Sequence, residues 1–148
     1  NIVSSWDVLN GQEVTGDCVV IGGGLVGAET AEYLANKGHQ VTIVEMMDKI
    51  AAGESTTVLP LMMKDFADHN VKQLVNTKVD HIENNIVYTA NDQIKADTII
   101  NALGSKKNIF DDSSITIPHV YVGDCSGERT ADIASAIRTA YKAANEID

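Results

Sequence analysis

Apolar residues along this chain form two patterns, and each pattern predicts a different kind of secondary structure. Three segments are largely apolar, as parallel strands covered on both faces are; they are residues 17–21, 41–45 and 96–104, and residues 71–75 are predicted as a further strand of the same sheet. Three further segments repeat apolar side chains every three to four residues, which is typical of helices with one buried face; they are residues 25–37, 58–69 and 130–146.

Between the predicted strands at 71–75 and 96–104 the pattern changes to alternation. Residues 78–82, 86–89 and 93–95 alternate apolar and polar positions and are separated by Asn84-Asn85 and Asn91-Asp92. Such turns between alternating segments predict a three-stranded antiparallel meander in place of a crossover helix. The fold class is therefore α/β: a three-layer, Rossmann-like parallel sheet with an antiparallel β-meander. We expect the sheet order 3-2-1, with the strand at 97–103 beside strand one and the meander on one face.

Composition shifts divide the chain into three parts. Residues 1–15 are expected to be a linker with a short helical turn, and residues 16–107 the Rossmann-like domain. The stretch 105–118 is polar and is the best candidate boundary. Residues 108–148 then form a C-terminal tail with a strand at 119–122 and a helix at 130–146.

The turn out of the first strand carries the most specific motif. The segment Val19-Val20-Ile21-Gly22-Gly23-Gly24-Leu25-Val26-Gly27 contains G-x-G-x-x-G between an apolar strand and a helix, and the second strand ends on Glu45, eighteen residues after Gly27. Strand, glycines, helix, strand and acid in one short unit predict a dinucleotide-binding site. The alternative is an ordinary tight turn between a strand and a helix.

Each glycine of the motif has its own physical reason. Gly22 allows the tight turn, Gly24 leaves the backbone bare for a pyrophosphate, and Gly27 lets the helix pack close to the sheet. The helix that begins at Leu25 and Val26 turns its N–H groups and positive dipole end toward the phosphate.

An acid at the end of the second strand predicts the nucleotide. Glu45 can accept hydrogen bonds from both ribose hydroxyls of adenosine, whereas a 2′-phosphate would be repelled by its charge. No Arg follows immediately. NADH is therefore expected to be preferred over NADPH.

Composition excludes several classes of function. The formal net charge of −10 argues against a nucleic-acid surface. No apolar run approaches the ~20 residues of a membrane span, and the first residues do not resemble a signal peptide. A cytoplasmic location is expected. The chain does not begin with Met, so we expect it to be a segment of a longer polypeptide.

The sequence contains no catalytic or metal-ligating constellation of its own. Cys18 opens a predicted strand and is expected to be a small core residue, while Cys125 is not part of a C-x-x-C pair. The four histidines lack ligand spacing and are expected at the surface; they are His39, His69, His81 and His119.

Three segments together carry a resemblance to a known superfamily. The glycine motif continued to Val41-Thr42-Ile43-Val44-Glu45 resembles the NAD(P)H-binding segment of two-dinucleotide flavoproteins. The run 96–104 is similar to the strand by which that segment rejoins the FAD-binding part, and Val120-Tyr121-Val122-Gly123-Asp124-Cys125 is similar to the final FAD-contacting motif. Within the superfamily, the chain most resembles the C-terminal region of the NADH:flavin oxidoreductases, with 2,4-dienoyl-CoA reductase and trimethylamine dehydrogenase.

The resemblance implies further site residues. Gly22, Gly24, Leu25, Val26 and Gly27 would bind the cofactor pyrophosphate and Glu45 the ribose. Glu29, taken to lie in the first turn of the helix, would lie near the nicotinamide, and Gly104 close to the cofactor at the end of its strand. Asp124 would contact FAD in the intact protein. Each of the last three also has a purely structural explanation, as a helix-dipole acid, a strand-end glycine and a turn cap.

The resemblance also implies what surrounds this chain. Only one glycine fingerprint is present, so FAD-binding and substrate domains of the same polypeptide would be missing, and FAD is not expected to bind here. The function implied is an NADH-binding domain that presents nicotinamide to FAD for hydride transfer. Two alternatives stay open: a free-standing, non-catalytic nucleotide-binding or sensor module, and a fingerprint that holds the ADP moiety of FAD itself. Exposed apolar surface on the tail would favour a homodimer.

Overall fold

The computed structural model describes residues 1–52, 57–104, 106, 111–126 and 133–146. The chain divides into two compact units, residues 1–104 and 105–148. The expected boundary between residues 107 and 108, and the expected first helical turn at 130–132, lie outside the described residues.

The first unit is an α/β fold in which a parallel sheet and an antiparallel sheet are combined. Its eight strands are β1 (Ile2–Ser4), β2 (Cys18–Ile21), β3 (Val41–Val44), β4 (Lys72–Leu74), β5 (Val79–Glu83), β6 (Ile86–Thr89), β7 (Gln93–Lys95) and β8 (Thr98–Asn101). Its helices are α1 (Ser5–Leu9), α2 (Leu25–Asn36) and α3 (Leu59–Asp68). The five-stranded sheet has the order β1-β8-β2-β3-β4 and is parallel throughout. The expected Rossmann-like architecture, the order of its strands and the antiparallel meander β5-β6-β7 are confirmed.

The N-terminal residues contribute more than the expected linker. Ile2–Ser4 forms the edge strand β1, where Val3 lies opposite Ile100 of β8. Val3 is buried, as are Ser5 and Val8 of the short helix that follows. A strand of three residues is too short to show a periodicity, which is why the pattern alone did not predict it.

Successive side chains of the parallel sheet point to opposite faces and build two apolar clusters. On one face, Val20 and Ile100 belong to the cluster that contains Leu34 of α2 and Phe66 of α3. On the other face, a second cluster brings together Val19, Ile21, Val44, Ile99 and Val87, the last from the meander. The meander therefore covers the face of the sheet that the helices leave open.

The second unit consists, in its described part, of a 3-10 turn at Gly123–Ser126 and the helix α4 (Ile133–Asn145). The backbone N–H of Gly123 donates to Thr139 Oγ1 of α4 at 2.8 Å. The expected strand at 119–122 is wrong, since these residues are irregular. A strand needs a neighbouring strand to pair with, and none of the described residues pairs with this segment. Its side chains are instead tied locally, because His119 and Tyr121 both bond Asp112.

Among the helices of the described residues, none combines the length and hydropathy that crossing a bilayer requires.

Candidate functional site

A cleft of about 680 Å³ opens at the carboxyl ends of the parallel strands. Its walls include Ile21, Val44 and Ala102, which end or follow β2, β3 and β8, and residues 77–82 from the start of the meander. The chain runs from β2 to β3 on one side, whereas β8 pairs on the other side. In open α/β sheets such a reversal of strand order is where ligands bind.

The three glycines of the fingerprint have different surroundings at this cleft. Gly22 has φ +99°, and a Cβ on it would lie 2.6 Å from the carbonyl oxygen of Ala102. A Cβ on Gly27 would lie 1.9 Å from the carbonyl oxygen of Gly22, so only glycine lets α2 approach the turn this closely. A Cβ on Gly24 would meet nothing within 4 Å. Two of the glycines are thus required by the fold, and Gly24 alone borders open space.

The start of α2 borders the cleft through Gly24 and has no side-chain cap. Gly24 is the N-cap residue and offers no side-chain acceptor, and the first intrahelical bond runs from Ala28 N to Gly24 O at 2.9 Å. The N–H groups at the start of a helix have no intrahelical partner, which makes them and the dipole end suited to an anion. Leu25 is 41% exposed. Val26 is half-buried.

Glu45 is buried and its carboxylate is bonded to two backbone amides. Oε2 accepts from Gly23 N at 2.6 Å and Oε1 accepts from Met47 N at 2.7 Å, and the residue is only 8% exposed. The sequence predicted a carboxylate turned toward a ribose. Each carboxylate oxygen can accept more than one hydrogen bond, so these contacts leave acceptor capacity at the cleft.

Three other predicted residues lie in differing places. Glu29 is the fifth residue of α2 and is exposed, so its placement in the first turn is wrong, and that turn carries no acid. Gly104 lines the cleft with φ +85° and with nothing near its Cβ position. Asp124 lies in the second unit, in the 3-10 turn. Their roles toward a cofactor remain predictions.

Sequence reasoning missed the contribution of the meander to the cleft. Lys78 and His81 line it, and the neighbouring Thr77 N donates to Glu45 O at 2.8 Å. The ring of His81 is exposed, as expected, and is stacked on Tyr88 with centroids 4.4 Å apart. No motif marks these residues; only the position of the meander directly after the third parallel strand could have suggested them.

Part of the rim of the cleft is apolar. Met46 and Met47 are 64% and 55% exposed and Leu103 is 71% exposed, and all three line the cleft. The two adjacent methionines therefore lie at the rim and not in the core.

The cysteines do not contribute to the cleft. Cys18 is buried in β2, and burial, with smaller contributions from Asp17 and Asp97, raises the pKa of its thiol to about 11. It is the core residue that the sequence predicted, and a buried thiol with a raised pKa is unreactive. Cys18 and Cys125, both within the described residues, form no disulfide.

Comparison with known proteins agrees with this fold. The family described as pyridine nucleotide-disulphide oxidoreductase matches residues 1–146, and the chain belongs to it. It is therefore a domain of a flavin-linked pyridine nucleotide oxidoreductase, from a family that uses FAD and NAD(P)H. The resemblance to the flavoprotein superfamily is confirmed at this level.

Individual relatives are reductases of greater length. The chain is 44% identical to bilirubin reductase of Mediterraneibacter gnavus (strain CC55_001C), over 98% of this chain and 24% of that protein. It is 30% identical to cinnamate reductase of Clostridium sporogenes, over 99% of this chain and 23% of that protein. The structure of a 2-naphthoyl-CoA reductase with 2-naphthoyl-CoA superposes with a TM-score of 0.71 at 30% identity, covering 99% of this chain and 23% of that chain. The chain thus spans about a quarter of the length of these relatives.

Proposed function

We propose that the first unit binds NADH in the cleft and presents its nicotinamide for hydride transfer to FAD. The observation that carries this proposal is the meeting of an uncapped helix start, a bare Gly24 and a strand-end carboxylate around one cleft of about 680 Å³. A volume of this order is typical of cofactor sites. The N–H groups of Leu25, Val26 and Gly27 would hold the pyrophosphate, and Gly104 would close the opposite side.

The preference for NADH over NADPH rests on Glu45. Its carboxylate lies at the end of β3, where it would accept from the ribose hydroxyls and repel a 2′-phosphate. Lys78 lines the same cleft and its charge would weaken that repulsion. We therefore propose a preference and not an exclusion.

Hydride transfer is chemistry that bound nicotinamide and flavin supply between them. The residues of this chain bind, orient and shield, and no acid or base among them is needed for the transfer. Glu29 would lie toward the nicotinamide end of the cleft. Asp124 would be a flavin ligand only together with an FAD-binding domain, so this chain alone is not expected to bind FAD tightly or to be active.

The narrower class and the surroundings of the domain are also proposals. The names of the relatives support a longer reductase in which further domains of the same polypeptide bind FAD and the substrate, within or near the NADH:flavin oxidoreductase and 2,4-dienoyl-CoA reductase group. Ile133, Ile137 and Tyr141 expose an apolar face of α4, which supports self-association of this chain as a homodimer. A cytoplasmic location is proposed from the sequence alone.

One titration series tests the binding proposal. NADH, NADPH, FAD and AMP are titrated against the chain and against Gly24→Ala by calorimetry. NADH is expected to bind more tightly than NADPH, and FAD weakly. Gly24→Ala should weaken the affinity for NADH by about tenfold or more and leave the melting temperature unchanged, because its methyl group enters space that the pyrophosphate would occupy. Tight FAD binding would assign the cleft to the ADP moiety of FAD instead, and no binding of any nucleotide would refute the proposal.

A further inference from the structure

Gly23 stands between the fingerprint glycines at a position that the G-x-G-x-x-G pattern leaves variable, yet both sides of this residue are bonded to one loop. Its N–H donates to Glu45 Oε2 at 2.6 Å. Its carbonyl oxygen accepts from Ala51 N at 2.7 Å. Both partners belong to the segment 45–51 that follows β3, so this segment is hydrogen-bonded to the glycine turn at two points.

Packing explains why the residue at this position has no side chain. A Cβ on Gly23 would lie 2.5 Å from Ile50 Cδ1 and 3.0 Å from Glu45 Cβ. The backbone of Gly23 is not in the left-handed region, so alanine would fit its φ. A methyl group at this position would not strain the backbone, but Ile50 and Glu45 would have to shift to make room for it.

Ala51, the second of these hydrogen-bond partners, has an unusual backbone conformation. Ala51 has φ +51°, a left-handed conformation that costs an alanine roughly 1–2 kcal/mol. Ala51 is nevertheless 1% exposed and packed in the main apolar cluster together with Ile50. Strained backbone of this kind persists where the surrounding structure holds it, and such positions cluster at ligand-binding sites.

We propose that Gly23, Glu45, Ile50 and Ala51 form a clamp that fixes the glycine turn in its phosphate-binding conformation. The peptide of Gly23 directly precedes Gly24 and the first N–H groups of α2, so rotation of this peptide would turn those groups away from an anion. Pre-organised donors bind an anion more tightly because no ordering cost is left to binding. Gly23 and Ala51 are then positioning residues, and Glu45 has a positioning role in addition to the ribose contact. This inference rests on the proposed function.

The test compares ADP, which carries the pyrophosphate, with adenosine, which does not. Both are titrated against the wild-type chain and against Gly23→Ala by NMR. The methyl should displace Ile50 or rotate the peptide, so ADP is expected to bind about tenfold more weakly while adenosine keeps its affinity within about twofold. In the double variant Gly23→Ala/Ile50→Val the Cδ1 methyl is absent, and ADP affinity should return in part.

A control separates positioning from stability. Val41→Ala removes buried apolar volume at the start of β3, at the end of the sheet away from the cleft, and should lower the melting temperature without changing ADP affinity. Equal ADP affinity in the wild-type chain and Gly23→Ala would overturn the clamp, as would an equal loss for adenosine and ADP or the absence of rescue by Ile50→Val. Failure of the wild-type chain to bind ADP at all would contradict the proposed function instead.

Discussion

The two units bury opposite kinds of side chain. In the first unit the strands of the parallel sheet contribute Val20, Ile43 and Ile100 to the core, each fully buried. In the described part of the second unit, the buried positions of α4 are Ser135 and Thr139.

The large apolar side chains of α4 are exposed. Ile133 is 81% and Tyr141 is 72% exposed. A domain is stabilised by removing apolar surface from water, at roughly 25 cal/mol per Å². Among the described residues, the first unit is therefore expected to supply most of the folding free energy.

The largest expected effect is at the glycine that joins α2 to the turn. Gly27→Ala would force its Cβ to within 1.9 Å of the Gly22 carbonyl oxygen, and we expect a loss of more than about 4 kcal/mol of unfolding free energy. Urea denaturation measures the loss of unfolding free energy, and hydrogen exchange of the β2 and β8 amides provides a second measurement. Gly24→Ala, one turn earlier and in open space, is the matched control and should unfold like the wild-type chain. Equal stability of both variants would contradict the close packing of α2 on the turn.

An intermediate effect separates the two units directly. Ile100→Ala removes a fully buried side chain from β8 and should cost about 2–5 kcal/mol. Ile137→Ala, the same substitution on α4, removes a side chain that is 64% exposed and should change stability by less than about 0.5 kcal/mol. Both are measured by urea denaturation at low protein concentration. A large cost for Ile137→Ala would show that the face of α4 is covered.

The smallest effect concerns pH and the second unit. Both ring nitrogens of His119 face acceptors, the Ile117 carbonyl oxygen at 3.1 Å and Asp112 Oδ2 at 2.8 Å, so only the protonated imidazolium donates to both. The bond to Ile117, followed by that to Asp112, raises the pKa of His119 above its ordinary 6.5. Bonds from Tyr121 and His119 lower the pKa of Asp112 below its ordinary 3.8.

The signs of these two shifts define a pH window. The raised His119 pKa contributes stability that is complete below pH 6.5 and is lost as pH rises through the raised value. The lowered Asp112 pKa contributes stability that is present above pH 3.8 and is lost as pH falls through the lowered value. NMR titration of the His119 imidazole should give a midpoint above 6.5 that returns toward 6.5 in Asp112→Asn. An unchanged midpoint in that variant would contradict the pairing.

Local pattern predicted the first unit well because its elements are continuous in the sequence. The apolar run that became β2, the glycine turn and α2 follow one another directly, and Glu45 ends the adjacent strand. The edge strand β1 and the meander wall of the cleft were not predicted as such. The residues that pair β1 with β8 are nearly a hundred positions apart, and no local signal spans that distance.

In the second unit, the sequence pattern predicted a strand that the structure does not contain. The apolar pattern at 119–122 predicted a strand, but strand formation depends on a partner whose presence no local pattern reports.

By itself, the sequence predicted the parallel strands β2, β3, β4 and β8, the meander, the helices between them, the glycine turn and the acid after β3, because steric and periodic requirements act between near neighbours. The tertiary structure alone decided that both oxygens of Glu45 bond backbone amides, that Lys78 and His81 line the cleft, and that a side chain on Gly23 would crowd Ile50 and Glu45. These features arise where segments distant in the sequence pack against each other, and such contacts form only when the whole unit is folded.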